Sequence, residues 1–99
     1  MQTRLFCNNN KAPVSPFVGR YIANVCLAIS RSLKTAEGKT LLFALSGDRV
    51  NLEIDGQPVP LGLHQGFAET LVRDTLEGMV KNLKGMESKG SIRIEIDKT

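Results

Sequence analysis

Four stretches read as strands: Thr3–Cys7, Val50–Ile54 and Ile92–Ile96, where polar and apolar residues alternate, and Thr40–Ser46, which is apolar throughout its middle. A period of two is the mark of a β-strand with one buried face. Leu5 and Cys7 share one face of the first strand, opposite Arg4 and Phe6. Val50, Leu52 and Ile54 point one way in the third strand, and Ile92, Ile94 and Ile96 do so in the fourth. The second strand differs. Leu41, Phe43 and Leu45 occupy one face, but Leu42 and Ala44 make the other apolar as well.

Two longer segments carry a helical period instead. From Pro16 to about Glu37, residues Ile22, Val25, Cys26, Ile29 and Leu33 fall on one side, the stripe of an amphipathic helix. Ser15 followed by Pro16 is a good helix start, a hydroxyl cap before a residue that lacks an N–H. Gly38 is placed to close this helix. A second helix is expected to begin between Leu63 and Gly66 and to end at Gly85, with Ala68, Leu71, Val72, Thr75, Met79 and Leu83 inward. Glu69/Arg73 and Glu77/Lys81 read as paired charges one turn apart on its wet side. Gly78 is costly inside a helix, about 1 kcal/mol relative to alanine, so it predicts close approach to another element. Asn8-Asn9-Asn10-Lys11, Ser46-Gly47-Asp48-Arg49 and Asp55-Gly56 are turns, and Pro13, Pro16, Pro58 and Pro60 interrupt regular pairing nearby.

These elements occur in the same order twice, in residues 1–47 and 48–99. Leu5, Cys7 and Pro13 fall on Leu52, Ile54 and Pro60 at an offset of 47. The helices align at 50, with Tyr21 on Leu71, Ile22 on Val72, Cys26 on Leu76 and Ala28 on Gly78. The closing strands align at 51, Phe43 with Ile94. Two β-α-β units joined by a hairpin predict a single-domain α+β fold of ferredoxin-like plan, β-α-β-β-α-β. The expected form is a two-layer sandwich: an antiparallel four-stranded sheet in the order 4-1-3-2, with two helices on one face. Exchange of strands between two chains is the alternative.

That order makes the second strand an edge, and edges recruit partners. Phe6, Leu42 and Ala44 are therefore the expected interaction residues, on the sheet face without helices, for a second copy or another protein. Charge is consistent with self-association: residues 1–47 hold six Lys/Arg and one acid, residues 48–99 seven and nine. A basic half of this kind, without a Lys/Arg cluster, is a weak signal for nucleic acid. Phe6 is the sole outward aromatic of the first strand, so a base-stacking RNA platform lacks its pair.

Other chemistry is sparse. Cys7 and Cys26 fit no zinc or redox spacing and are expected as reduced core thiols. The expectation is a non-catalytic protein with no metal site and no cofactor. Ser15, His64 and Gly66 lie at the two helix starts, where backbone N–H groups attract anions, and form the candidate anion site. Gly62-Leu63-His64-Gln65-Gly66 lacks the Gly-Lys-Ser/Thr ending of a phosphate loop. No apolar run approaches the roughly 20 residues of a membrane span, and the first residues lack a signal-peptide pattern; a cytoplasmic protein without membrane contact is expected.

One stretch carries a resemblance. Ile54-Asp55-Gly56-Gln57-Pro58-Val59-Pro60-Leu61, Phe67, Gly78-Met79-Val80 and Leu83-Lys84-Gly85 resemble the tail segments of molybdenum-cofactor dinucleotide biosynthesis proteins of anaerobes. The similarity covers about Val50–Ile96, and the first half departs from it, with Asn8-Asn9-Asn10 in place of the Asp-Gly turn. It implies an accessory or assembly role and transfers no site residue. The expected function is a small interaction module that self-associates along its second strand. The alternatives are an anion, nucleotide or pterin binder and a weak RNA binder.

Overall fold

The computed structural model of the chain describes residues 1–33, 38–47, 49–59, 67–83 and 90–98. It contains β1 (Gln2–Cys7), β2 (Asn10–Ala12), α1 (Pro16–Ser32), β3 (Thr40–Ser46), β4 (Arg49–Ile54), β5 (Gln57–Val59), α2 (Phe67–Val80) and β6 (Ile92–Asp97). All strand pairs are antiparallel. They form one six-stranded sheet in the order β2-β1-β6-β3-β4-β5.

This corrects the ferredoxin-like expectation. The sheet has six strands rather than four, and its central pair is β6–β3, whereas the order 4-1-3-2 would have joined β1 to β4. The two short strands explain the difference. Asn8 and Asn9 have φ of 52° and 69°, and Asp55 and Gly56 have 52° and 79°. Two successive positive φ angles make the two-residue hairpin turn that matches strand twist. Each turn folds the chain back on the strand before it, so that β2 takes the outer edge of β1 and β5 that of β4. With those edges used, β1 and β4 cannot meet, and β3 and β6 join instead. Pro58 lies in the outermost strand β5, where a missing donor is tolerated.

β3 is therefore central, between β6 and β4, and not an edge. Leu41, Phe43 and Leu45 are buried under the helices, while Leu42 and Ala44 on the other face are half-buried between the neighbouring strands. The inward residues are as the alternation predicts: Leu5, Cys7, Leu41, Phe43, Leu45, Val50, Leu52, Ile54, Ile92, Ile94 and Ile96 are all buried. With Ile22, Ala23 and Cys26 of α1 and Val72, Leu76 and Val80 of α2, most of them form one hydrophobic core between sheet and helices.

The pairings of the two halves correspond. Leu5 pairs with Ala12 and Leu52 with Val59; Leu5 pairs with Ile94 and Leu52 with Phe43. At the centre, Leu41–Ile96 and Leu45–Ile92 exchange under the same rotation. The turns follow suit. Asn8 N donates to Ser91 O at 2.9 Å and Asp55 N to Thr40 O at 3.0 Å. Asn8 Oδ1 accepts from Ser91 N at 2.9 Å, and Asp55 Oδ1 from Thr40 N at 3.0 Å. Asn8-Asn9 thus builds the same turn as Asp55-Gly56, although its spelling had marked it as a departure.

Helix details also differ from expectation. Among the described residues α1 stops at Ser32, where the Leu33 N–H bonds back to Ile29 and Arg31 carbonyls; residues 34–37 lie outside them. Gly38 is not a left-handed cap. A Cβ there would come within 2.5 Å of Asp55 Oδ2, so its bare backbone admits the Asp55 turn. The expected start of the second helix and its closing Gly85 lie outside the described residues.

Candidate functional site

The helix layer carries the largest departure from a simple core-and-surface pattern. α1 begins as its cap predicts, with Ser15 extended (φ −71°, ψ 163°) and its Oγ accepting the Val18 N–H at 3.2 Å. Thr3 Oγ1 donates to the Gly19 carbonyl at 2.9 Å and ties the first turn to β1. On α2, the Glu69 carboxylate accepts the Val50 N–H at 2.8 Å and meets Arg49 at 3.4 Å. It does this in place of the expected pairing with Arg73, which meets Asp74 at 3.0 Å.

Held this way, both helices are rotated from the expected stripe. The deepest row of α1 is Ile22, Ala23, Cys26 and Ser30, while Val25, Ile29 and Leu33 sit on its flank, half-buried. In α2 the buried row is Val72, Leu76 and Val80, and Leu71 is 56% exposed. Between the flanks runs an apolar cleft of about 480 Å³, walled by Val25, Ala28 and Ile29 from α1, by its cap residue Leu33, and by Leu71, Val72 and Thr75 from α2.

The outer side of α1 bears Phe17 and Tyr21, one turn apart. Their rings stack 6.2 Å between centroids with planes 6° apart, and they are 71% and 53% exposed. The corresponding pole of α2 holds Leu71 and Gly78. Nothing lies within 4 Å of where a Gly78 Cβ would be, so the close approach expected there is absent among the described residues. Large exposed apolar side chains gathered on one face mark an interaction surface.

The residues singled out from the sequence lie elsewhere. Phe6, Leu42 and Ala44 do lie on the helix-free face, half-buried, but the edge they were to flank is interior. Phe6 is also covered: the Arg93 guanidinium sits 4.2 Å from its ring centroid. Arg93 also meets Glu95 at 3.0 Å and Asn9 Oδ1 at 3.2 Å, and Arg4 meets Glu95 at 3.0 Å. A base stacking on Phe6 would have to displace that network. Leu42 borders a hollow of about 210 Å³ together with Arg4, Glu53 and Glu95, a polar rim.

Ser15 lines a separate cleft of about 500 Å³ with Thr3, Val14 and Arg20, but its hydroxyl is already engaged as the helix cap. His64 and Gly66 lie outside the described residues, so the anion site is not assembled within them. Cys7 and Cys26 are both buried thiols. Burial pushes Cys26 up to about 12, which keeps it protonated and unreactive as a nucleophile. Among the described residues no group of three or more His, Cys, Asp and Glu could hold a metal ion. No helix among them is long and apolar enough to cross a membrane.

Sequence reasoning missed Phe17 and Tyr21, although a signal was present. They fall on the side of α1 away from the Ile22/Cys26 row, where a solvated helix carries polar residues. At the offset of 50, Tyr21 corresponds to Leu71, and both are exposed. No family model, curated protein or solved structure matches the chain, and so none links it to molybdenum-cofactor proteins.

Proposed function

We propose that this protein is a small non-catalytic interaction module, built from two duplicated halves, that docks another polypeptide on its helix layer. The observations that carry this are the exposed aromatic pair Phe17 and Tyr21 on α1 and the exposed Leu71 at the wall of the apolar cleft between α1 and α2. Helix-in-groove recognition uses surfaces of this kind, with apolar anchors at helical spacing laid into a trough. The engaged Ser15 hydroxyl and the protonated Cys26 thiol support a binding role over a chemical one. The reading moves the docking face from the second strand to the helices, because β3 has no unpaired edge to offer.

Peptides selected against the immobilised protein from a random library test it. Binders are expected to be rich in apolar and aromatic residues and to shift the amide resonances of Val25, Ile29, Leu71 and Thr75. Leu71→Glu is expected to abolish binding while far-UV circular dichroism stays unchanged. Binders that tolerate Leu71→Glu and shift Phe6 and Leu42 instead would overturn the proposal, as would a selection that returns none.

A further inference from the structure

We propose that the helix layer is completed by a second copy of this chain, packed face to face so that α1 of each copy lies against α2 of the other. This rests on the reading of that layer as a docking face and names its occupant.

Charge selects the arrangement. α1 carries Arg20 and Arg31 and no acid, whereas on α2 Glu69 is engaged at β4, Asp74 is paired with Arg73, and Glu77 leaves an exposed negative charge. Two helices of opposite sign thus lie side by side in one molecule. They also run in opposite directions, because the rotation that exchanges β1 with β4 and β3 with β6 carries the Ile22/Cys26 row of α1 onto the Val72/Leu76 row of α2 and reverses it. Two face-to-face symmetric packings are open to such a layer. A two-fold axis across the helices sets α1 on α1 and α2 on α2, like charge on like. An axis along the helices sets α1 on α2 at both places, antiparallel and opposite in sign. An isologous contact needs a surface complementary to itself, and the second packing supplies it.

Shape agrees with charge. With the helix midpoints level, the second packing sets Tyr21 of one copy beside Gly78 of the other. The same register sets Ala28 beside Leu71. Each large exposed side chain meets a small residue, and the open space over Gly78 receives an aromatic ring. This accounts for a glycine in a helix interior that no contact within the described residues explains. Arg20 and Glu77, both exposed on the flanks away from the cleft, fall opposite each other between copies.

Size sets the strength. Helices of 17 and 14 residues, at about 1.5 Å per residue and about 10 Å apart, offer roughly 500 Å² per copy. The total of roughly 1,000 Å² is at the low end for a specific interface. A dimer that dissociates on dilution is expected.

Sedimentation of the full chain over a wide concentration range tests this. The wild type is expected to pass from monomer to dimer as concentration rises. Gly78→Gln fills the hole and should weaken dimerisation by about tenfold or more. Its helical circular dichroism and thermal midpoint should be kept or raised, since glycine is the poorer helix former. Arg20→Glu and Glu77→Arg should each be monomeric alone. Mixed in equal amounts they should dimerise again, because every cross-copy contact then joins opposite charges. A wild type that stays monomeric overturns the inference, and peptide docking at Leu71 would then show that the broader reading has survived it. A dimer indifferent to Gly78→Gln, with no recovery on mixing, also overturns it, since it would use another face.

Discussion

Asn8 and Asp55 do the same work with different chemistry. Each has φ of 52°, and each uses its side-chain oxygen to accept a backbone N–H from the strand start beside it. Asp55 accepts two, from Thr40 at 3.0 Å and from Lys39 at 2.8 Å. These backbone N–H groups of Thr40 and Lys39 hold its carboxyl below the usual carboxylate range. A carboxyl whose pKa is lowered by folding adds stability above its unfolded value of about 3.9, and that stability is lost as pH falls through the lowered folded value. Asp55 is fully exposed, so solvent screening keeps the effect small. The expected outcome is a thermal midpoint that drops in acid for the wild type. In Asp55→Asn this part of the acid drop disappears and the fold is retained, since Asn8 shows that an amide fits the turn. Melting curves of both proteins at a series of acidic pH values check this; equal acid slopes would contradict it.

At the scale of the element, an apolar stripe fixes that a helix has an inner side but not its angle. α2 offers two overlapping stripes. Leu71, Val72, Thr75 and Met79 form one, and Val72, Leu76 and Val80 the other. Periodicity alone does not choose between them. The Glu69–Val50 bond does, because it pins the first turn of α2 to the start of β4; no local pattern announces a carboxylate reaching a strand 19 residues away. Strand facing was legible because a period of two leaves only two choices. The α2 part of the candidate site was hidden for the same reason as the helix angle: Leu71 is a core residue at one rotation and a surface residue at the other. Leu76→Ala is therefore expected to cost about 2–5 kcal/mol by opening a cavity, and Leu71→Ala to stay within about 0.5 kcal/mol, as surface changes do. Urea unfolding at concentrations low enough to hold the chain monomeric measures both; equal losses would mean that Leu71 faces the core.

For the whole molecule, strand alternation and the β3–β4 hairpin fit either sheet order, 4-1-3-2 or the one observed. The choice depends on β2 and β5, three residues each, too short to show a period and partly spelled with turn residues and proline. A cross-link across the sheet centre distinguishes the two orders. Ala44 and Arg93 are direct partners in the β3–β6 pair on the helix-free face, and partners of this kind have Cβ atoms about 4.5–5.5 Å apart, near the reach of a disulfide. Ala44→Cys with Arg93→Cys is expected to oxidise within the monomer, leaving circular dichroism and cooperative unfolding intact. Phe6 and Asn51 lie in the same row across the sheet, but β6 and β3 stand between them. At about 4.8 Å per strand spacing they are about 14 Å apart, so cysteines there should stay reduced. In the order 4-1-3-2 the results would invert, because β1 and β4 would be neighbours and β3 and β6 would lie at opposite edges.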